Sequence, residues 1–357
     1  GLNCSLGPDE IAPILERICN KCNVPVIAKP NAGLPDPVTN TYTMGAEEFG
    51  EKLSALSKLG VKVLGGCCGS TPEYIKCLKE DLKNYKYEKN VHPYVTAVSS
   101  GTTVVEINQP RIIGERINPT GKKLFKQALV NNDMDYILGQ AISQQEDGAE
   151  ILDINVGHPE IDEKEMMVKV VKAVQGVVDL PLQLDSTKPE VLEAGLRAYN
   201  GRAIVNSVNG EEKSLTEILP IVAKYGASVV GLTLDEDGIP ETTEKRVEIA
   251  ERIIKRATAL GIREEDIYID CLTLTVSAQQ SGAVQTLDAI EIIKSKYKVK
   301  TVLGVSNISF GLPHRPLLNQ TFLTMAMEKG LDLPIINPSV FGMAGAVRAF
   351  RVLKGFD

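Results

Sequence analysis

No apolar run in this sequence approaches the roughly 20 residues that a membrane span needs, and no basic-then-apolar leader opens it. Neither insertion into a membrane nor export is expected, and the reading is cytoplasmic. Positive charge is in deficit: 39 Lys and Arg against 46 Asp and Glu leave a net charge of −7. The clustered basic residues of a nucleic-acid footprint are missing, so a small-molecule substrate is the better match. Cysteine is sparse and odd in number, seven in 357 residues, which argues against a disulfide framework and leaves metal binding or free thiols. What is present, 43% apolar residues, 24% charged residues and 30 glycines, is the composition of a globular protein with a sizeable core. The length exceeds one ordinary domain, so two units are expected. The chain opens on Gly1, directly on what reads as a strand end, and is expected to be a piece of something larger.

From residue 111 onward, short apolar runs alternate with longer amphipathic segments. The runs span 111–118, 151–157, 180–187, 203–210, 228–235, 267–274, 301–309 and 333–339. Between them, 163–178 places Met166, Met167, Val170, Val171 and Val174 at helical spacing, and 244–260 does so with Val247, Ile249, Ile253 and Ile254. Strand then helix, repeated eight times, predicts an α/β fold with a complete (β/α)8 TIM barrel. The runs turn polar where they end, at Glu115, Asn118, Asp153, Asn155, Asp185, Asn206, Asp270 and Asn307. Chemistry in such barrels gathers at the C-terminal mouth, so these are expected ligand contacts. Helix capping is the competing reading for any one of them, though it does not account for the whole set.

Residues 1–95 hold only three strand-like pieces, at 1–4, 24–30 and 61–66, separated by helical segments at 9–22 and 46–59. Three strands cannot close a barrel, so this part reads as the last strands and helices of a second (β/α)8 barrel, with 79–92 as its final helix and linker. The division is placed near Ser99, giving 1–98 and 99–357. Cys4 follows the first of these strands, and Cys67 and Cys68 end the third within Gly65-Gly66-Cys67-Cys68-Gly69. Three thiolates meeting at one barrel mouth can hold zinc and leave a fourth position open. Adjacent cysteines on a regular strand point to opposite faces, and the flanking glycines would let both turn to one ion. The alternative, buried cysteines as small hydrophobes, stays open on spacing alone. Cys19-Asn20-Lys21-Cys22 has a CxxC spacing but lies at a helix end, away from that mouth.

Gly1-Leu2-Asn3-Cys4-Ser5, Lys29-Pro30-Asn31-Ala32-Gly33-Leu34-Pro35 and the Gly65-Gly66-Cys67-Cys68-Gly69 segment together resemble the last third of zinc-dependent homocysteine S-methyltransferase domains. Residues 111–339 resemble the pterin-binding barrel that follows such a domain in the cobalamin-dependent methionine synthase family. The likeness there rests on Gly114-Glu115-Arg116-Ile117-Asn118, Asp153-Ile154-Asn155-Val156, Leu184-Asp185-Ser186-Thr187, Asn206-Ser207 and Gly304-Val305-Ser306-Asn307. The resemblance implies that Cys4, Cys67 and Cys68 are zinc ligands in a homocysteine half-site. It implies that Asp185, Asn206 and Asp270 contact the pterin ring of 5-methyltetrahydrofolate, and that Asn307 is the catalytic residue beside its N5. Glu115, Asn118, Asp153 and Asn155 are then expected in or near the pocket, with Lys122, Lys123 and Arg315 available to the glutamate tail. The implied activity is transfer of the folate methyl group to Co(I) cobalamin within methionine synthesis. Of the histidines only His92, His158 and His314 exist and none sits in a cobalamin motif, so the cobalamin is expected from another domain or a corrinoid protein.

These assignments suit the chemistry. A pterin presents ring N–H and amine donors that a carboxylate accepts bidentately, while amides satisfy its other acceptors. N5 leaves the methyl group only when protonated, and no His or Lys stands out as its acid, so hydrogen-bond stabilisation through Asn307 is expected. Three rivals are weighed. Dihydropteroate synthases share the pterin aspartates but expect a glycine-rich, lysine-bearing segment after the sixth strand, where this chain has Asp270-Cys271-Leu272-Thr273-Leu274-Thr275. A stand-alone methyltetrahydrofolate:corrinoid-protein methyltransferase would not need the three cysteines. A folate- or zinc-binding fragment without turnover is the third.

Overall fold

The computed structural model describes residues 1–356, and the chain divides into two compact units, Gly1–Tyr94 and Val95–Asp357. In the first, β1 (Leu2–Asn3), β2 (Val26–Lys29) and β3 (Val61–Leu64) form a three-stranded parallel sheet. It alternates with α1 (Pro8–Cys19), α2 (Ala46–Ala55) and α3 (Pro72–Asp81). Ile11, Leu15 and Cys19 recur every fourth residue along α1 and pack with Phe49 and Leu53 of α2, Val26, Ala28 and Val61 of the sheet, and Leu78 of α3. This is the β/α pattern expected of a partial barrel.

The last helix of this unit differs from the sequence expectation. It runs over Pro72–Asp81 and not over 79–92. Pro72 occupies the first helical turn, where its missing N–H costs nothing. The tyrosine- and lysine-rich stretch beyond is pinned as irregular chain: the Asn90 amide donates to the Leu59 carbonyl at 3.0 Å, and the His92 N–H donates to Asn23 Oδ1 at 2.7 Å.

The second unit begins with an antiparallel hairpin, β4 (Ala97–Ser99) and β5 (Val104–Glu106). Eight parallel strands follow and close on themselves: β6 (Ile113–Ile117), β7 (Ile151–Asn155), β8 (Leu182–Asp185), β9 (Ile204–Asn209), β10 (Ser228–Leu232), β11 (Ile267–Asp270), β12 (Lys300–Gly304) and β13 (Leu333–Ile336). β13 pairs with β6 to complete the ring. Each of the eight apolar runs holds one strand, with β12 starting one residue ahead of its run at Lys300. The surrounding helices are α4 (Lys123–Asn131), α5 (Met134–Glu146), α6 (Glu163–Val174), α7 (Pro189–Ala198), α8 (Glu212–Tyr225), α9 (Thr243–Ala259), α10 (Gly282–Lys296), α11 (Arg315–Glu328) and α12 (Met343–Lys354). The outer faces of the strands and the inner faces of these helices make the main core, to which α6 gives Met166, Met167, Val170, Val171 and Val174.

The interior of the barrel is layered. Ile113, Ile151, Ile204, Val230, Tyr268, Val302 and Leu333 form an apolar layer that packs against Val98, Val105 and Ile107 of the hairpin region. The hairpin therefore plugs the end of the barrel where the strands begin. It is fastened there by Arg202, whose N–H donates to the Ser99 carbonyl at 2.9 Å and whose guanidinium pairs with Asp266 at 2.7 Å. Because side chains two residues apart share a face of a strand, the next interior positions are Glu115, Asp153, Asn206 and Asp270, joined by Gln183 beside Asp153 and Ile204 in register. On β6, β7, β9 and β11 the apolar floor thus gives way to polar residues in a single step, while Leu232 and Ile335 carry the apolar lining onward on β10 and β13.

If the plug closes the floor by packing, Ile107→Ala, which truncates a side chain 1% exposed, should lower unfolding free energy by about 3 kcal/mol. Urea denaturation followed by circular dichroism measures it. A loss under about 1 kcal/mol would mean that the hairpin merely lies against the barrel.

Candidate functional site

Two constellations gather the residues put forward from sequence, one in each unit. In the first unit Cys4 follows β1, and Cys67 and Cys68 follow β3. Their sulfurs all lie within 4.8 Å of one another, with Cys4 and Cys68 3.7 Å apart and Cys67 and Cys68 4.0 Å apart. Four ligands placed tetrahedrally at about 2.3 Å from zinc stand roughly 3.8 Å from each other, so the three sulfurs already approximate one face of that tetrahedron. Cys4 and Ser5 both adopt left-handed φ angles, 65° and 67°, unusual for side-chain-bearing residues. Gly69 (φ +81°) makes the corresponding turn after Cys68, and a Cβ there would stand 2.4 Å from the Tyr42 ring.

The buried Asn31 braces the group: its side-chain oxygen accepts from the Cys68 N–H at 3.2 Å, while the Ala32 N–H donates to the Cys68 carbonyl at 2.9 Å. The Ser5 N–H, with lesser help from Cys67 and Cys68, holds the Cys4 thiol below its ordinary pKa; hydrogen bonding to Cys4 pushes that of Cys67 up. One sulfur of the group thus ionises ahead of a neighbour, as mutually bonded thiols do. These residues fit a tricysteinyl zinc site with an open fourth position. Cys19 packs in the core, and among the described residues neither it nor Cys22 belongs to a cluster of three metal-ligating side chains.

In the second unit the polar wall lies at the C-terminal mouth of the barrel. Asn155, Asp185 and Asn206 stand side by side across β7, β8 and β9 in register. The Asn155 amide donates to Asp185 at 2.9 Å. One level lower, the Gln183 amide donates to Asp153 at 2.7 Å, with both residues buried. Asn118, after β6, turns its oxygen to the Thr120 N–H and also reaches Asp153. Across the barrel, Asp270 ends β11 and accepts the Leu272 N–H at 2.7 Å. Asn307 lies in the short 3-10 turn Val305–Ser309 after β12, exposed, with its amide folded over Gly304, where a Cβ would come within 3.1 Å of it. It has no side-chain hydrogen bond among the described residues, which leaves its amide free for a ligand.

Glu115 faces a cavity of about 220 Å³ lined also by Ser306, Arg315, Asn319, Asn337 and Met343. Ser306 Oγ lies 3.4 Å from both Glu115 carboxylate oxygens. Of the three cations suggested for a glutamate tail, two are already engaged. Lys122 donates to the Glu115 carbonyl at 3.0 Å, and Arg315 donates to the Ser306 carbonyl and the Ser309 hydroxyl, both at 3.1 Å. Lys123 is exposed at the start of α4.

Burial governs the electrostatics. It raises Asp185 to about 6, against the pull of the Asn155 amide, and raises Asp270 to about 7, against the Leu272 N–H and the Arg246 charge. Asp153 is pushed well above the ordinary carboxylate range by burial and then by the charge of Asp185. Glu115 is raised by burial and Lys122 lowered by it. Carboxyls poised in this way can accept N–H donors from a ligand when ionised and hold protons when they are not. Sequence reading did not put forward Gln183, Asn337 or Arg246. Gln183 was accessible from the period-two rule, being two residues before Asp185. Nothing local marks Arg246.

The family description "Pterin binding enzyme" matches residues 114–337, and "Homocysteine S-methyltransferase" matches residues 1–82. Among curated proteins, the chain is 37% identical over 358 residues to the methionine synthase of Mycobacterium tuberculosis and 35% identical over 363 residues to that of Mycobacterium leprae. Each alignment takes in 95% of this chain and 30% of the relative, so the chain spans under a third of their length. Among solved structures, a Xanthomonas albilineans dihydropteroate synthase superposes with a TM-score of 0.60 at 18% identity over 74% of this chain and all of that one. A Yersinia pestis dihydropteroate synthase with a pterine-sulfa conjugate gives 0.58 at 18% identity over 73% of this chain and 99% of that one. At such identity these two neighbours speak to the barrel fold alone.

A carboxyl whose pKa rises on folding stabilises the fold while protonated, fully below its ordinary value of 3.8, and that contribution is lost as pH rises through the folded value. For Asp270, with a folded value of about 7, the loss by neutral pH is roughly 4 kcal/mol. The melting temperature of Asp270→Asn minus that of the wild type should therefore climb between pH 4 and pH 7. A flat difference across that window would show that Asp270 is ionised in the folded protein throughout.

Proposed function

The chain belongs to the pterin binding enzyme family, and from that premise we propose that its barrel binds 5-methyltetrahydrofolate and passes the N5 methyl group to the Co(I) of a cobalamin carried by another domain or a corrinoid protein. The observation that carries this reading is the wall of Asp185, Asn206 and Asp270 above a sealed apolar floor, with the unpaired Asn307 amide at the rim. A flat ring entering the mouth meets carboxylates for its N–H and amine donors and amides for its acceptors. Glu115, Asn118, Asp153 and Asn155 surround that pocket and fix the orientation of the residues that touch the ring. The floor stops the ring at a set depth, so its reactive edge faces the mouth, as in-line methyl displacement requires.

In the transfer, the bond between N5 and the methyl carbon breaks, its electron pair stays on N5, and the nucleophile's pair forms the new bond to carbon. N5 must carry a proton for that pair to leave as a neutral amine. Asn307 stabilises the protonated N5 by accepting its N–H through Oδ1, a contact that matters most as charge redistributes in the transition state.

In the first unit Cys4, Cys67 and Cys68 would hold zinc, which supplies Lewis acidity that lowers the pKa of a coordinated substrate thiol. Homocysteine is the substrate proposed for that half-site, because both family matches occur in one chain in the order found in the methionine synthases it resembles. The dihydropteroate synthase reading is weaker: the sixth barrel strand is followed by Cys271, Leu272 and Thr273, without the glycine-rich lysine segment of that family.

Mixing the protein anaerobically with 5-methyltetrahydrofolate and Co(I) cobalamin should consume the Co(I) absorbance. Asn307→Ala should slow the step about 100-fold, and Asp185→Ala should weaken folate binding by about 10- to 100-fold. Folate binding without methyl transfer would make the chain a binding fragment; no folate binding would end the reading altogether.

For the first unit, metal analysis after loading should give one zinc per chain in the wild type. Cys68→Ser should lose it, leaving folate affinity unchanged. Full zinc retention in that variant would remove Cys68 from the ligand set.

A further inference from the structure

Arg246 lies in the first turn of α9 and has no exposed surface, an environment that a guanidinium tolerates only when well partnered. Its Nε donates to the Pro240 carbonyl at 3.1 Å. Its Nη1 donates to the Cys271 carbonyl at 2.8 Å, the Leu272 carbonyl at 3.0 Å and the Thr286 hydroxyl at 2.8 Å. Nη2 is buried without a hydrogen-bond partner, and among the described residues no carboxylate forms an ion pair with this side chain. So costly a placement needs a reason in the fold or in the site.

Its partners supply one. The two carbonyls held by Nη1 belong to the two residues that follow Asp270. Leu272 takes a left-handed φ of 58°, which its side chain disfavours, and in that conformation its N–H points to Asp270 Oδ1 at 2.7 Å. Thr286 of α10 ties the same turn from the other side, donating to the Leu272 carbonyl at 2.9 Å. A chain of contacts therefore runs from the guanidinium through the turn to one carboxylate oxygen.

We propose that Arg246 is a positioning residue for pterin binding: it locks the turn at Leu272 so that one Asp270 oxygen is tied to the backbone, and its charge favours the ionised carboxylate that accepts ring N–H donors. The inference rests on the reading of Asp270 as a pterin contact. The groups that bear on Asp270 are Arg246 from α9 and the Cys271 thiol next to it, which burial keeps neutral. The strands flanking it present uncharged Leu232 and Val302 in register.

The test is the affinity of the full chain for 5-methyltetrahydrofolate, by calorimetry over roughly pH 6 to 9, for the wild type, Arg246→Met, Arg246→Lys, Asp270→Asn and the Arg246→Met/Asp270→Asn double variant. Wild-type binding should weaken as pH falls through about 7. Arg246→Met should move that midpoint up by about one pH unit, Arg246→Lys should restore it, and the double variant should show no more pH dependence than Asp270→Asn. Arg246→Gln, which keeps a donor for the Leu272 carbonyl, carries the same comparison if the methionine variant does not fold. If Asp270→Asn weakens binding but the neutral Arg246 variants share the wild-type midpoint, Arg246 is only structural and the proposal is overturned. If Asp270→Asn binds folate like the wild type at every pH, the reading of Asp270 itself has failed and takes this inference with it.

Discussion

Side chains two residues apart on a strand share a face, and in a closed ring of eight parallel strands that rule decides at what depth the interior changes character. On four of the strands here the change occurs in one step. Ile113, Ile151, Ile204 and Tyr268 belong to the floor, and two residues on stand Glu115, Asp153, Asn206 and Asp270. A shift of one residue towards the floor would exchange Asp153, Asp185 or Asp270 for the core side chains Leu152, Leu184 or Ile269. The register that packs the outside of the barrel against its helices is the register that aims the site.

That constraint has an electrostatic cost, and the structure spreads it. Each interior carboxyl has a neutral hydrogen-bond donor: Asn155 for Asp185, Gln183 for Asp153, the Leu272 N–H for Asp270 and the Ser306 hydroxyl for Glu115. None has a direct ion pair among the described residues. Neutral donors satisfy a carboxylate only in part, so burial wins and the pKa values rise. An ion pair would have locked each group ionised and filled the space a ligand needs. The three cysteines follow the same pattern, held by backbone amides and Asn31 while their sulfurs stay accessible.

Much of this was legible in the sequence. Eight apolar runs ending in polar residues place all eight strands and their mouth, because buried parallel strands must be continuously apolar until they reach solvent. The thiolate group was legible from glycines beside cysteines, although the left-handed turn at Cys4 and Ser5 was not. The hairpin escaped notice since two three-residue strands around Ser100-Gly101-Thr102 carry too little periodicity to register. The helix of residues 72–81 was displaced in the reading because the charged tail beyond it has helix-forming composition, whereas the Pro72 start signal was passed over. Arg246 was illegible for a deeper reason. In α9 it sits among Glu244, Lys245, Glu248 and Arg252, and what distinguishes it from them is three-dimensional enclosure.

The hairpin at the foot of the barrel has one more consequence. A barrel open at both ends could load from one side and unload from the other; this one is a cul-de-sac. In the proposed reaction, donor, acceptor and spent product would all use the same doorway, and a large acceptor seated over the rim would block the exit of the ring beneath it. Turnover in such a vessel is a matter of queueing. For that reaction, the interval for which each visitor occupied the threshold would bear on throughput alongside the bond-making step.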